Sequence, residues 1–425
     1  MPDSQPQPQP PSNPPGPPGG PGPSGPAGLL LCGARLADGR TVDVRLGGGR
    51  IEAVGTAGSL APGRDRRTGL TRVDLSGYLL LPAPAEPHAH GDTALSAEHP
   101  GPVSYSPEDV QRRATQAALL YLGLGATAVR AHVRVGDVQG LGALGAVLRA
   151  RRSLRGLAEL TTVAMPRLLT GAAGADGLAM LRDAVKMGAS VVGGCPDLDP
   201  DPTGYVEAVL EVAAEHGCPV DLHTDAADPA RLARLAAMAG GLRPGVTIGP
   251  CAALARLPAQ VASRAADRLA AAGVTVVCLP QGTCGGAGRR GTAPVRLLRA
   301  AGVRVTAGGG ALRDISNPVG RGDPLEAAYL LASVHGLRPE DAYDAVSGSA
   351  RAALGLPDVR VEAGFPAELL AVRGDRLAGA LSLAYSRIVV HRGRVVARTS
   401  AVREYCHSTG TGEAGLPRQG RGELS

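Results

Sequence analysis

The chain has 425 residues, 44% of them apolar but only 2% aromatic, with one Phe and no Trp. That length is too great for one ordinary core and suits a large α/β barrel with an accessory domain, its interior built from Ala, Val and Leu. The formal charge of +6 comes almost wholly from Arg, Lys186 being the only lysine, and the scattered arginines contain no run of five like charges; this describes a solvated surface and argues against nucleic-acid binding.

No apolar run approaches the ~20 residues that span a bilayer, and no basic segment followed by an apolar one opens the chain. Neither a membrane span nor a secretory leader is expected. The seven cysteines are widely spaced without a C-x-x-C, which suits reduced thiols and a cytoplasmic location.

In chain order, residues 1–28 are Pro, Gly, Ser and Gln without apolar periodicity. Such a segment cannot bury enough surface to offset its ordering entropy and is expected to be a disordered arm. From Leu29 the texture changes to short strands broken by D-G and G-G-G turns, "LLLCGARLADGRTVDVRLGGGRIEAVG", and a matching β-rich patch, "ELLAVRG" and "SRIVVHRGRVVART", lies near the far end. Residues 29–80 and 360–400 therefore predict one small β-sandwich assembled from both ends of the chain, and residues 401–425 a flexible tail.

Residues 81–359 alternate. Counting "YLLLPAPA" as the first, eight β-rich runs, among them "ATAVRAHV", "PVDLH", "VTIGP" and "VRVTAG", are separated by Ala/Leu/Arg-rich stretches with helical spacing. The helix opening Ser106-Pro107-Glu108-Asp109 carries a cap, an N1 proline and first-turn acids. The rhythm predicts a parallel (β/α)8 barrel. An open doubly wound sheet is the competing arrangement, but no G-x-G-x-x-G follows an early strand.

Ligands of such a barrel sit at the carboxyl ends of its strands. His88 and His90, in "EPHAH", follow the first run, and side chains two apart on a strand point the same way. His132 ends the second run and His223 the fifth. A lone core histidine is usually a hydrogen-bonded structural residue. An H-x-H pair with a third histidine at the same rim reverses that expectation, because three neutral nitrogens with an open position suffice for Zn²⁺ or Fe²⁺.

The segments "LLLPAPAEPHAHGDTAL", "AVRAHVRV", "VDLHTDAAD" and "SARAALGL", with the end-to-end β domain, resemble the amidohydrolase superfamily, and within it the cytosine deaminase branch, over residues 30 to 400. The resemblance implies one divalent metal, zinc or iron, on His88, His90 and His223, a metal-activated water that attacks a ring carbon, and release of ammonia from a cyclic amidine or a related small molecule. It also implies proton carriers that this chain lacks. The acid/base Glu falls at Ala226 in His223-Thr224-Asp225-Ala226, the strand-six His falls at Pro250 after Gly249, and the strand-eight His-Asp-Asp falls at Gly309, Gly310 and Ala311. Each proton transfer of this kind is worth ~10² to 10⁴ in rate, so cytosine turnover is doubtful on these grounds.

Replacements are sought nearby. Asp225 and Asp314 are the candidate catalytic carboxylates, with Asp228, Cys251 and Cys278 at the same rim. His132 is a candidate substrate contact. Arg167 replaces the Gln that reads the pyrimidine edge, and would favour an anionic ligand if it points inward. The expected partner is a small molecule rather than a membrane or nucleic acid, with homo-oligomerisation left open. The alternative is an inactive amidohydrolase-fold module for ligand binding or assembly.

Overall fold

The computed structural model describes residues 28–60, 70–98, 101–136, 139–172, 174–282, 291–383 and 385–401. The Pro/Gly-rich arm and the tail expected at 401–425 lie outside these, Gly28 and Ala401 apart.

The chain enters through β1 (Leu29–Arg35), β2 (Thr41–Gly47), β3 (Arg50–Thr56), β4 (Thr71–Asp74) and β5 (Tyr78–Pro82). The barrel follows as β6 (Ala85–His90), β7 (Ala128–Val135), β8 (Glu159–Pro166), β9 (Val191–Gly194), β10 (Val220–Thr224), β11 (Val246–Pro250), β12 (Thr275–Cys278) and β13 (Arg304–Ala307). The chain then leaves the barrel and adds β14 (Leu369–Arg373), β15 (Arg387–His391) and β16 (Arg394–Thr399).

The eight barrel strands pair in sequence order, every pairing parallel. A bridge between Ala89 and Gly310 joins the first strand to the segment after the last and closes the cylinder. Helices fill the connections, and four of them begin with an acid or serine cap followed by proline. Ser106, Asp201, Asp228 and Asp323 each accept a hydrogen bond from a backbone N–H of the first turn. Such a cap contributes about 1 kcal/mol.

The remaining strands, drawn from both ends of the chain as expected, form the small β domain through one continuous ladder ordered β16-β15-β14-β5-β1-β2-β3 with β4 beside β1, around a core of its own. Its centre corrects one sequence expectation. The apolar run "YLLLP" is not the first barrel strand but β5, which pairs antiparallel with β14. Barrel strand one is "AEPHAH" itself. Side chains alternate across a strand, so Leu79 and Leu81 enter the barrel core while Leu80 enters the core of the small sheet. Residues Leu370 and Val372 of β14 face the barrel core and Leu369 and Ala371 the other. A strand buried on both faces looks the same from sequence in either sheet. No helix among the described residues is long and apolar enough to cross a membrane.

Candidate metal centre

His88 and His90 lie within β6, where a register irregularity between Glu86 and Ala89 interrupts pairing with β7. His132 of β7 stands opposite His90, and His223 comes from β10 across the barrel. The rings converge. Centroids of His88 and His223 are 4.9 Å apart, those of His90 and His223 5.6 Å, and those of His88 and His90 5.3 Å. One nitrogen from each of these three rings lies within 4.8 Å of the others, so the ligand set implied by the resemblance is brought together.

Both nitrogens of His88, and Nε2 of His90, are buried without a hydrogen-bond partner. Buried polar atoms are ordinarily satisfied, and leaving several orphaned at one point marks a place where something else supplies the bond. The rings are also neutral, as metal ligands must be. Burial, and the neighbouring His132, hold His90 down at about 4; burial and His90 hold His223 at about 3; burial and His132 keep His88 well below the usual imidazole range. The donor set therefore fits a divalent cation with three protein ligands.

A buried frame stands beneath the rings. Arg130, almost fully buried, donates from Nη1 to Asp221 Oδ2 at 2.7 Å and from Nη2 to Ala353 O at 2.6 Å. The other oxygen of Asp221 is 3.2 Å from His132 Nε2, while His132 Nδ1 lies 3.3 Å from Ala89 O. Burial alone would raise Asp221, but His132 and Arg130 outweigh it and hold the carboxyl below its ordinary value. His88, His132 and Asp221 form a second grouping close enough for an ion, yet Asp221 is already committed to a guanidinium. His132 thus touches the cavity but is anchored to the frame.

The glycines after β13 have a geometric reason. Glu86 turns its carboxylate toward them and accepts from His88 N at 2.9 Å and Gly309 N at 2.8 Å. A Cβ at Gly308 would stand 2.5 Å from Glu86 Oε1 and 3.3 Å from His88 N. Burial raises Glu86 to about 8 against those two hydrogen bonds. Gly310 spends its N–H on His88 O at 3.1 Å. The segment after the eighth strand closes the barrel with backbone and brings no ligand side chain to the histidines.

Above the rings lies a cavity of about 520 Å³ whose lining includes His90, His132, His223, Asp92, Asp225 and Asp314. Asp225 and Asp314 are therefore at the site, though each also holds loops. Asp225 accepts from Ala253 N at 3.2 Å and Arg256 Nη2 at 3.3 Å. Asp314 accepts from Thr93 Oγ1 at 2.9 Å and Ser316 N at 2.8 Å. Asp228 lies away from the histidines as the cap of the helix Pro229–Ala239. Cys251 and Cys278 are fully buried, and burial pushes the Cys278 thiol up to about 12 and Cys251 well above its ordinary value, the opposite of a thiolate ligand. Arg167 is exposed and lines an adjoining lobe rather than the central cavity.

Three features escaped the sequence reading: Arg134, the Arg130–Asp221 pair and the role of Glu86. The signal available was a charge inside each β-rich run: "AVRAHVRV", "VDLH" and "AEPHAH" all carry one where apolar residues belong. Arg134 donates from Nε to Asp92 Oδ2 at 2.7 Å, and its guanidinium lies 5.3 Å over the Tyr105 ring at the cavity wall.

Residues 103–397 match the profile of the Amidohydrolase family. The chain is 32% identical to a pterin deaminase from Rhizobium rhizogenes over 238 residues, 52% of this chain and 54% of that relative; it thus spans about half of that protein's length. In structure it is similar to N-isopropylammelide isopropylaminohydrolase from Burkholderia multivorans, with a TM-score of 0.78 at 27% identity over 88% of this chain and 100% of the other. It is also similar to a 5-methylcytosine deaminase from Klebsiella pneumoniae, with a TM-score of 0.76 at 25% identity over 89% and 99%. The histidine-bearing strands, the barrel they close and these matches agree: the chain belongs to the amidohydrolase superfamily.

Proposed function

We propose that this chain is a single-metal hydrolase acting on a C–N bond of a small nitrogen-containing ring. The observation that carries this is the convergence of three neutral imidazoles, with buried nitrogens of His88 and His90 lacking a hydrogen-bond partner, beside a cavity that His90 and His223 line. A zinc or iron ion held there would supply the Lewis acidity that such hydrolysis needs. The relatives named pterin deaminase, 5-methylcytosine deaminase and N-isopropylammelide isopropylaminohydrolase support a ring substrate.

The chain's own residues divide the remaining work. His88, His90 and His223 bind; the Arg130–Asp221–His132 frame fixes the floor on which they stand. Asp225 and Asp314 are the carboxylates lining the same cavity as His90 and His223, and in this reading they take the protons that Ala226, Pro250 and Gly310 cannot. A second reading has its own observation. Ala226, Pro250 and Gly310 carry no titratable group, which favours a member that binds its ring ligand without turning it over.

Metal analysis of the purified full chain, followed by an ammonia-release assay on cytosine, pterin and ammelide with added Zn²⁺ or Fe²⁺, separates the two. About one ion per chain and turnover above that of the free ion support the hydrolase. Folded protein that binds metal and ring ligand but releases no ammonia supports the second reading. Folded protein that takes up no metal removes the first.

A further inference from the structure

The central cavity does not end at its own wall. It shares Tyr105, Arg134, Met165, Cys195 and Leu198 with a neighbouring lobe of about 470 Å³. The two parts differ in charge. The inner part is lined by the histidines together with the carboxylates of Asp92, Asp197, Asp225 and Asp314. The outer lobe has Arg134 and Arg167 and, among the described residues, no carboxylate.

Arg134 is held in place. Its Nε is tied to Asp92 at 2.7 Å and its Nη2 donates to Tyr105 Oη at 3.1 Å, with the guanidinium over the Tyr105 ring. The side chain is nonetheless 59% exposed. Nη1 has no partner among the described residues, and neither has the guanidinium of Arg167. A fixed planar fork loses little freedom when it takes a carboxylate, and Val135, Met165 and Leu198 line the lobe beside it.

We propose that the outer lobe walled by Arg134 and Arg167 is a carboxylate subsite, so that the preferred ligand is a nitrogen-containing ring with its reacting end at the histidines and an acidic substituent at these two arginines. This deepens the functional reading above and rests on it for the ring, while the anion preference rests on the arginines alone. It also assigns a substrate-selecting role to Arg134, which occupies the position two residues beyond His132 on β7.

The test is equilibrium binding to the metal-loaded full chain, by calorimetry, of two matched pairs: cytosine against 5-carboxycytosine, and pterin against pterin-6-carboxylate. At least one carboxylated ring binds about tenfold or more tightly than its neutral parent, the scale of one hydrogen bond to a charged group. That ratio shrinks as salt is raised and falls toward one in both Arg134→Gln and Arg167→Gln. Arg167 is exposed, so its variant reads the subsite even if Arg134→Gln disturbs Asp92. Equal affinities, tighter binding of both neutral parents, no binding of any probe, or a preference that survives both substitutions overturns the subsite. Failure of the hydrolase reading has a different mark: no ammonia from any ring, with the carboxylate preference intact.

Discussion

The floor and the rim of the barrel have followed different rules. Beneath the metal-site rings, the charged groups are locked to partners: Arg130 to Asp221, Asp221 beside His132, and Glu86 to the backbone of His88 and Gly309. At the rim, the positions where the resemblance places proton carriers hold Ala226, Pro250 and Gly310, and the candidate carboxylates Asp225 and Asp314 also hold loops. The contrast teaches that holding an ion and moving protons are separable. A floor of this kind can persist for its structural value, since a buried charge cannot lose its partner cheaply, whereas a rim side chain can be lost without unfolding anything.

Three experiments press on that contrast. Asp221→Ala is the most severe, because it strands the Arg130 guanidinium in the interior. A loss of about 3–5 kcal/mol is expected from urea unfolding of the metal-free chain, and a loss under about 1 kcal/mol would mean that the floor is not locked in this way. Ala226→Glu restores a carboxyl to the rim and is expected to raise the rate of ammonia release by about 10². Ala226 already carries its Cβ at φ 56°, so the change adds no new backbone strain; its cost in stability is that of seating a carboxyl at a buried position, which unfolding measures separately. An unchanged rate would show that the rim does not lack a proton carrier there.

The subtlest experiment reads the protons of the floor. His90 and His223 are held at about 4 and about 3, and His88 well below the ordinary range. All three are therefore neutral in the folded chain near pH 5.5, and zinc uptake displaces about zero protons from them, as calorimetry in two buffers of different ionisation heat will show. Release of two or more would mean that the rings are solvated. The sign for stability follows: these folded values lie below the ordinary value of 6.5, so the unfolded chain gains protons first. Their contribution is present above pH ~6.5 and is lost as pH falls toward 4.

The alternation of β-rich runs and helical stretches made the barrel legible, since each barrel strand from β7 to β13 coincides with a run visible in the sequence. The histidines were legible because an H-x-H on one strand and a third at a strand end imply a shared focus. β5 was legible as a strand but not in its sheet, because a strand buried on both faces carries no signature of which sheet it joins. The locked floor was not legible either. Nothing local tells that Arg130 meets Asp221, 91 positions apart; only closure of the barrel brings β7 and β10 near each other. Arg134 was hidden differently, as one arginine among many, and its distinction lies in Asp92 and Tyr105 fixing its plane.

The antiparallel pairing of β5 with β14 has a consequence for synthesis. Between those strands the ribosome must make the whole barrel, so Leu79, Leu80 and Leu81 emerge long before Leu369–Val372 arrive beside them. For that interval one ribbon of leucine edge stays open to any other nascent strand, and the nascent product is most exposed to mispairing until its last elements leave the exit tunnel.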